Sequence, residues 1–328
     1  MRFTLAIIMA FLFTACSADK SHLEKEKSIL ANYPEATAEM KLVKVSEHSY
    51  YVQGAAGVAT DNQGFISNAG AIVTNDGVVI FDTLGTPALA SKMIRLLREV
   101  TDQPIKRVIM SHYHADHLYG LQLYKELGAE IYAPKGVYEY MDSPLAEERL
   151  EERRFSLEPW VNEKTYLVKP DHILDAGMVQ ELGGVKMSIN FLGGAHSDGD
   201  LTLLVEPDRV LYSGDIIFEG RVAYLGDADT RHWLETLEKM ETSGLVGLIP
   251  GHGPAARDPT RAIAQTRRYL AYIRKVMGEA VEELSDFSEA YESADWSEFE
   301  KLPAFAAANR RNAYQVFLSM EQESLPAR

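Results

Sequence analysis

Cysteine is almost missing from this chain: one occurs in 328 residues, at position 16. A lone thiol excludes a disulfide within the chain, and its place in the N-terminal leader leaves no thiolate for a metal site in the folded body. Positive charge is also scarce. Lys and Arg number 33 against 48 Asp and Glu, a formal net charge of −15. That balance argues against a nucleic-acid partner, because no basic surface is left to neutralise a run of phosphates. It argues equally against a basic patch that would dock on a membrane, and fits simple solubility. A bilayer-spanning run is lacking too: the N-terminal stretch Leu5 to Phe13 is too short to cross as a stable anchor. What remains is the composition of a soluble globular protein, 46% hydrophobic and 25% charged, at a length that buries a core in one large domain or two small ones.

The leader has its own grammar. Met1-Arg2 gives a positive start, an apolar run follows, and the stretch closes on Leu12-Phe13-Thr14-Ala15-Cys16. That is the pattern of a secretory signal. It resembles a bacterial lipoprotein signal, which implies cleavage before Cys16 and lipid attachment to it; ordinary cleavage after Ala15, leaving a free thiol, is the alternative. Ser17 in the next position resembles the outer-membrane sorting pattern of Gram-negative cells. The expectation is therefore a periplasmic protein, lipid-anchored to the outer membrane, that touches lipid only through its anchor. The expected organisation is a signal peptide over 1–15, a lipidated tether over 16–39, a main α/β domain over 40–256 and a C-terminal helical extension over 257–328. Nothing in the sequence sets an oligomeric state.

The chain is organised around Ser111-His112-Tyr113-His114-Ala115-Asp116-His117, which packs three imidazoles and a carboxylate into six residues of a chain with nine histidines. The apolar run Val108-Ile109-Met110 before it reads as a buried strand end. Leu118 to Tyr124, with apolar residues at helical spacing, reads as a helix. Strand ends of this kind are where open α/β sheets bind ligands. Alternation sets His112 and His114 on one side, while Asp116 and His117 turn with the helix start toward a second point. Two sub-clusters suit two metal ions better than one. Loop polarity and a helix cap would account for one Asp and one His, not for this density.

The grammar repeats. Val78-Val79-Ile80-Phe81 runs into Asp82, Val185 to Leu192 into Gly193-Gly194-Ala195-His196, Val210 to Tyr212 into Ser213-Gly214-Asp215, and Leu245 to Ile249 into Pro250-Gly251-His252. Small residues beside each polar one let the backbone pass close to whatever it binds. Helices are expected over Pro87 to Val100, Arg231 to Glu241, Arg261 to Glu283 and Phe305 to Glu321. The acidic stretch between Met277 and Glu300 reads as a solvated face. His22, His48, His172 and His232 read as ordinary surface or core histidines.

Asp82, the His112–His117 run, His196, Asp215 and His252 resemble the five ordered motifs of the metallo-β-lactamase superfamily, over roughly Ser49 to Gly253. The resemblance implies an αββα four-layer sandwich with metals at one sheet edge. It implies one zinc on His112, His114 and His196, a second on Asp116, His117 and His252, Asp215 bridging both, and Asp82 supporting the ligands from behind. It further implies a dinuclear zinc hydrolase whose metal-bound hydroxide opens a small carboxyl derivative, with Asp116 as the catalytic acid–base group. The stretch Tyr224 to Thr230 with His232-Trp233 resembles the β-lactamase branch that uses a Cys ligand. Asp215 in place of that Cys, and His117 as an added ligand, resemble glyoxalase-II-like thioesterases and lactonases instead. Phe218 stands where the β-lactamase branch has a Lys that grips the substrate carboxylate, and Arg221 is near enough in sequence to substitute. β-lactam, lactone and thioester substrates all stay open. Members of a different class hold a single iron and oxidise persulfides; a periplasmic accessory protein of a quinoprotein system is a third reading. The insert from Tyr138 to Lys169 and the helices after Pro259 are expected to cover part of the site, or to pack on its outside.

Overall fold

The computed structural model describes residues 21–226 and 228–325. The leader and Cys16 lie outside the described residues. The chain enters with helix α1 (Ser21–Leu30), then strands β1 (Leu42–Lys44), β2 (Ser49–Val52), β3 (Ala69–Thr74) and β4 (Gly77–Phe81), helix α2 (Pro87–Leu97) and strand β5 (Ile105–Ile109). Two short helices, α3 (Ala115–Leu118) and α4 (Leu121–Leu127), lead to β6 (Glu130–Pro134), α5 (Lys135–Met141), α6 (Pro144–Ser156) and β7 (His172–Leu174). The second half runs β8 (Met178–Leu182), β9 (Val185–Phe191), β10 (Leu201–Val205), β11 (Val210–Phe218), α7 (Thr230–Lys239) and β12 (Gly247–His252). It closes with α8 (Pro259–Glu282), α9 (Phe287–Ser293) and α10 (Phe305–Ser324).

Seven strands pair in the order β1-β2-β3-β4-β5-β6-β7, and five in the order β12-β11-β10-β9-β8. The hairpin β3–β4 turns through Asn75-Asp76, with Thr74 opposite Gly77. From β4 to β7 the pairing is parallel, as it is between β11 and β12. β4 is buried along its whole length and reads as a continuous apolar run, whereas β5 carries Lys106 and Arg107 and β7 is exposed at His172 and Ile173. In β4, Val79 and Phe81 face the other sheet, while Val78 and Ile80 face the helices. Period-two alternation thus builds two cores from one strand.

A central core lies between the sheets, formed by Ile72, Val79, Phe81, Ile109, Leu203, Tyr212 and their neighbours. A second lies under α2 and α4 on the outer face of the large sheet, and a third under α7, α8 and α10 on the small one. The result is the expected αββα sandwich with helices added after it. α1 is docked: Glu26 forms two hydrogen bonds with the Arg98 guanidinium, at 2.6 and 2.7 Å, and Leu30 is buried. Residues 21–30 of the expected tether therefore pack on the sandwich.

One strand boundary differs from the sequence reading for a local reason. β11 continues past Tyr212 to Phe218, with register shifts against β12 on both sides of Gly214. Gly214 sits at φ +51°, so the strand bulges there and then resumes. A Ser-Gly-Asp triplet looks like a strand end in sequence, and here it is a kink in mid-strand. The elements α5, α6, β8 and α9 carry too thin an apolar stripe to stand out. In α6 only Ala146 and Leu150 are buried. Among the described residues, no helix is long and apolar enough to cross a membrane.

Candidate metal centre

Each polar strand end arrives at the same edge. β5 delivers Ser111 and His112; the chain then turns at His114 and α3 begins, so that Asp116 and His117 point back across the edge. The bulge in β11 re-aims Asp215 toward them, and β12 ends on His252. The turn between β9 and β10 supplies His196. Two sets of ligand atoms result, His112/His114/His196/Asp215 and Asp116/His117/His252, each with its atoms within 4.8 Å of one another. All seven ligands named from the sequence are brought together.

The contacts have the spacing of ligands around a cation. His114 Nδ1 lies 3.0 Å from His112 Nε2 and 2.8 Å from His196 Nε2. A tetrahedral zinc with bonds near 2.0 Å sets its ligand atoms about 3.3 Å apart. Asp215 stands between the sets: its Oδ2 is 3.2 Å from both His196 Nε2 and His252 Nε2, and its Oδ1 is 3.1 Å from His117 Nε2. Asp116 Oδ2 lies 3.2 Å from His252 Nε2 and 3.6 Å from His117 Nε2. His117 Nε2 and Asp215 Oδ1 are buried without a hydrogen-bond partner. Buried polar atoms without partners are costly. Divalent ions would satisfy both, so the residues fit the metals.

The electrostatics point the same way. Burial, reinforced by the neighbouring His117, pushes the His112 pKa well below the usual imidazole range. Burial also opposes charge on His117, but Asp215, Asp116 and Asp82 outweigh it and hold its pKa well above the usual value. The Asp215 carboxyl is likewise held well down against burial, by His252, His117 and His196. Carboxylates that keep imidazolium protons in place are also arranged to hold a cation once those protons leave.

The ligands are fixed from behind. Asp82 is not among the ligand atoms. Its Oδ1 accepts the Ser111 N–H at 2.7 Å, and its Oδ2 accepts the Ser111 hydroxyl at 2.7 Å and His117 Nδ1–H at 2.9 Å. The Ser111 hydroxyl oxygen, 2.8 Å from His112 Nδ1, accepts that ring's proton and leaves Nε2 free for a metal. Asp82 itself sits at φ +61°, a conformation these three bonds hold in place. His252 Nδ1–H donates to the Ile66 carbonyl at 2.6 Å, and its ring stacks on Phe218 with 5.0 Å between centroids.

Other supports were not visible in the sequence. Asp200 accepts the Ala195 and Ser197 N–H groups, bracing the turn that carries His196. Its burial lifts its pKa to about 7 in spite of those bonds. Asn68, on the large sheet, donates to the Pro250 and Gly253 carbonyls, both at 2.8 Å, and pins the His252 strand end. At Gly251 a Cβ would lie 1.9 Å from Asp215 Oδ1, so no other residue lets β12 pass so close to that carboxylate. His48, His172 and His232 stay outside the centre: His48 bonds Asp208, His172 stacks on Tyr132, and His232 meets the Gly194 carbonyl.

A cavity of about 300 Å³ opens over the ligands. α6, inside the expected insert, gives it Leu145, Arg149 and Arg153; α10 gives it Ala307, Ala308 and Arg311. The insert and the C-terminal extension therefore both wall the site. Phe218 lines it where the β-lactamase branch has a Lys, and Arg221 lines it too, with Nη1 3.3 Å from His252 Nδ1. The loop after β11 is tied to α10. Asn312, fully buried, accepts the Leu225 N–H at 3.0 Å and donates to the Ala223 carbonyl at 2.7 Å.

Comparisons with known proteins agree with this layout. The family model described as Metallo-beta-lactamase superfamily matches residues 62–252. A metallo-beta-lactamase type 2 of Elizabethkingia meningoseptica is 25% identical over 215 residues, covering 64% of this chain and 76% of that one. Metallo-beta-lactamase IND-1 of Chryseobacterium indologenes is 21% identical over 215 residues, covering 64% of this chain and 80% of that protein. Among solved structures, a metallo-beta-lactamase from Pontibacter korlensis superposes with a TM-score of 0.58 at 18% identity, covering 71% of this chain and 99% of that one. DIM-1 metallo-beta-lactamase superposes at 0.56 with 15% identity, covering 73% and 99%.

Proposed function

The chain belongs to the metallo-beta-lactamase superfamily, and from that premise we propose that it is a dinuclear zinc hydrolase opening a small carboxyl derivative. The observation that carries this reading is the meeting of two ligand sets at one carboxylate, Asp215. His112, His114 and His196 would hold one ion, Asp116, His117 and His252 the other, with Asp215 between them. When bound, such a pair supplies Lewis acidity and draws the pKa of water from about 15.7 to about 7. The rest is the work of the chain. Asp116, half-buried at the cavity floor, stands where it can take a proton and pass it to a leaving group. Asp82 keeps the His117 ring in the orientation and tautomer that present Nε2.

β-lactam, lactone and thioester remain the substrate classes of this reading. Arg221 supplies the cation that a substrate carboxylate needs beside the ligands, in place of the Lys that Phe218 replaces. The test is metal content by mass spectrometry on the exported protein, then a panel of lactam, lactone, thioester and ester substrates. About two zinc per chain and turnover of at least one class are expected, with turnover lost in Asp116→Ala while the circular dichroism spectrum is unchanged. One iron per chain with oxygen uptake would overturn the hydrolase in favour of persulfide oxidation. Lipid attachment at Cys16, and with it a periplasmic outer-membrane address, is part of the same proposal; the mass of the mature N-terminus decides it.

A further inference from the structure

The cavity wall has a charge pattern that the metal chemistry does not use. Apart from Asp116 and Asp215 at its floor, every charged residue lining it is an arginine: Arg149, Arg153, Arg221 and Arg311. That convergence occurs on a chain of net charge −15, where acids outnumber bases by 48 to 33. Lysine supplies 15 of the 33 basic residues and none of the wall. Planar guanidinium groups, not point charges, are gathered there, and they match carboxylate and phosphate oxygens in pairs.

Three of the four come from the two helices that wall the cavity, Arg149 and Arg153 half-buried and Arg311 exposed, so they form its mouth. Arg149 and Arg153 are one turn apart on α6, and Arg311 reaches over from α10 to lie 5.6 Å above the Tyr224 ring. Arg149 meets Glu152 at 2.9 Å on its own helix, an exposed pair worth little. Neither Arg153 nor Arg311 forms an ion pair among the described residues. Like charges brought together without counter-charge repel, and a bound anion removes that cost. The rest of the lining includes the apolar and aromatic side chains of Ile66, Tyr113, Phe218, Val222 and Tyr224.

We infer that the mouth is an anion subsite formed by Arg149, Arg153 and Arg311, which selects substrates carrying a carboxylate or phosphate at the end remote from the bond being opened. The inference rests on the hydrolase reading for what lies at the floor. It adds the class of molecule: a compact, partly apolar acyl compound with an anionic tail. α6 and α10, neither of which carries a residue of the metal centre, thereby share one task.

The test is calorimetric titration of the zinc-loaded full chain with glutarate, with 4-phosphobutyrate and with glutaramate, the monoamide of glutarate whose tail is neutral. One or both of the ligands with an anionic tail are expected to bind about tenfold tighter than the monoamide, and the better one identifies the tail chemistry. The double variant Arg153→Gln/Arg311→Gln should lose that preference, and Arg153→Lys/Arg311→Lys should keep part of it. Equal affinity for all three ligands in the wild type, or a preference that survives in the Gln variant, overturns the inference. The readout needs no turnover. A chain that selects the anionic tails but hydrolyses nothing keeps the anion subsite and loses the hydrolase; one that hydrolyses the panel without regard to tail charge does the reverse.

Discussion

The two sheets contribute to the centre in opposite styles. The large sheet delivers four ligands in one six-residue run, all from the end of a single strand and the helix that follows. The small sheet delivers three ligands singly, from a turn, a mid-strand bulge and a strand end 56 residues apart in total. Chain connectivity alone keeps the first group together. The second group depends on sheet pairing, on Asp200 bracing one turn and on Asn68 pinning another. Local spacing therefore secures one half of the site, and tertiary structure secures the other.

The sharpest way to break that contrast is at Asp215, the small-sheet residue that faces both ligand sets. Asp215→Ala removes a carboxylate facing both sets, so turnover should fall by at least roughly 10²–10³-fold, the scale for loss of one charge-stabilising group. Metal content should drop with it. Wild-type metal content, read by mass spectrometry, would mean that each set stands without the other. Next in size, Asp82→Ala leaves all seven ligands in place but frees His117 and Ser111. Loss of such a support typically costs about 10–100-fold in metal affinity, measurable by competition with a chromophoric chelator. Undiminished affinity would show that the contiguous run orients itself.

The smallest effect belongs to the opposite end of β11, where Asp208 joins the sheets without metal. Its carboxylate accepts from Ser49, from the His48 N–H and from Ser46, and its Oδ1 is 2.7 Å from His48 Nδ1. Burial opposes its charge, and those bonds outweigh burial, holding its pKa below the usual carboxylate value. A depressed acid adds stability that is complete above the unfolded pKa of about 3.9 and is lost as pH falls through the folded value. Asp208→Asn should thus be less stable at neutral pH by about 1–3 kcal/mol and show a flatter loss below pH about 4. Urea unfolding at pH 3 and pH 7 decides it; parallel pH profiles for variant and wild type would remove the acid from the account.

The same contrast sets what could be read in advance. The His112–His117 run is legible because its ligands are neighbours in sequence. His196, Asp215 and His252 are legible only through a repeated rhythm of apolar strand, small residue and polar residue. The strand through Asp215 reads in sequence as ending at Tyr212, because a bulge interrupts alternation as a turn does. Asn68, Asp200 and Asp208 left no trace: a buried polar side chain that bonds distant backbone looks, in sequence, like any loop residue. The cavity wall is legible in sequence only as two segments that either cover part of the site or pack on its outside. Which face of α6 and α10 meets the site depends on tertiary packing, and their short apolar stripes do not announce it.

The Asn312 clamp makes the order of synthesis matter. The loop carrying Val222 and Tyr224 is fastened by a side chain that leaves the ribosome well after it, since Asn312 lies 87 residues beyond Leu225. Until then the sandwich can close around its histidines with one flank of the pocket unbuilt. A protease that removes α10 would accordingly act on the pocket wall from a distance, leaving the seven His and Asp residues of the centre untouched.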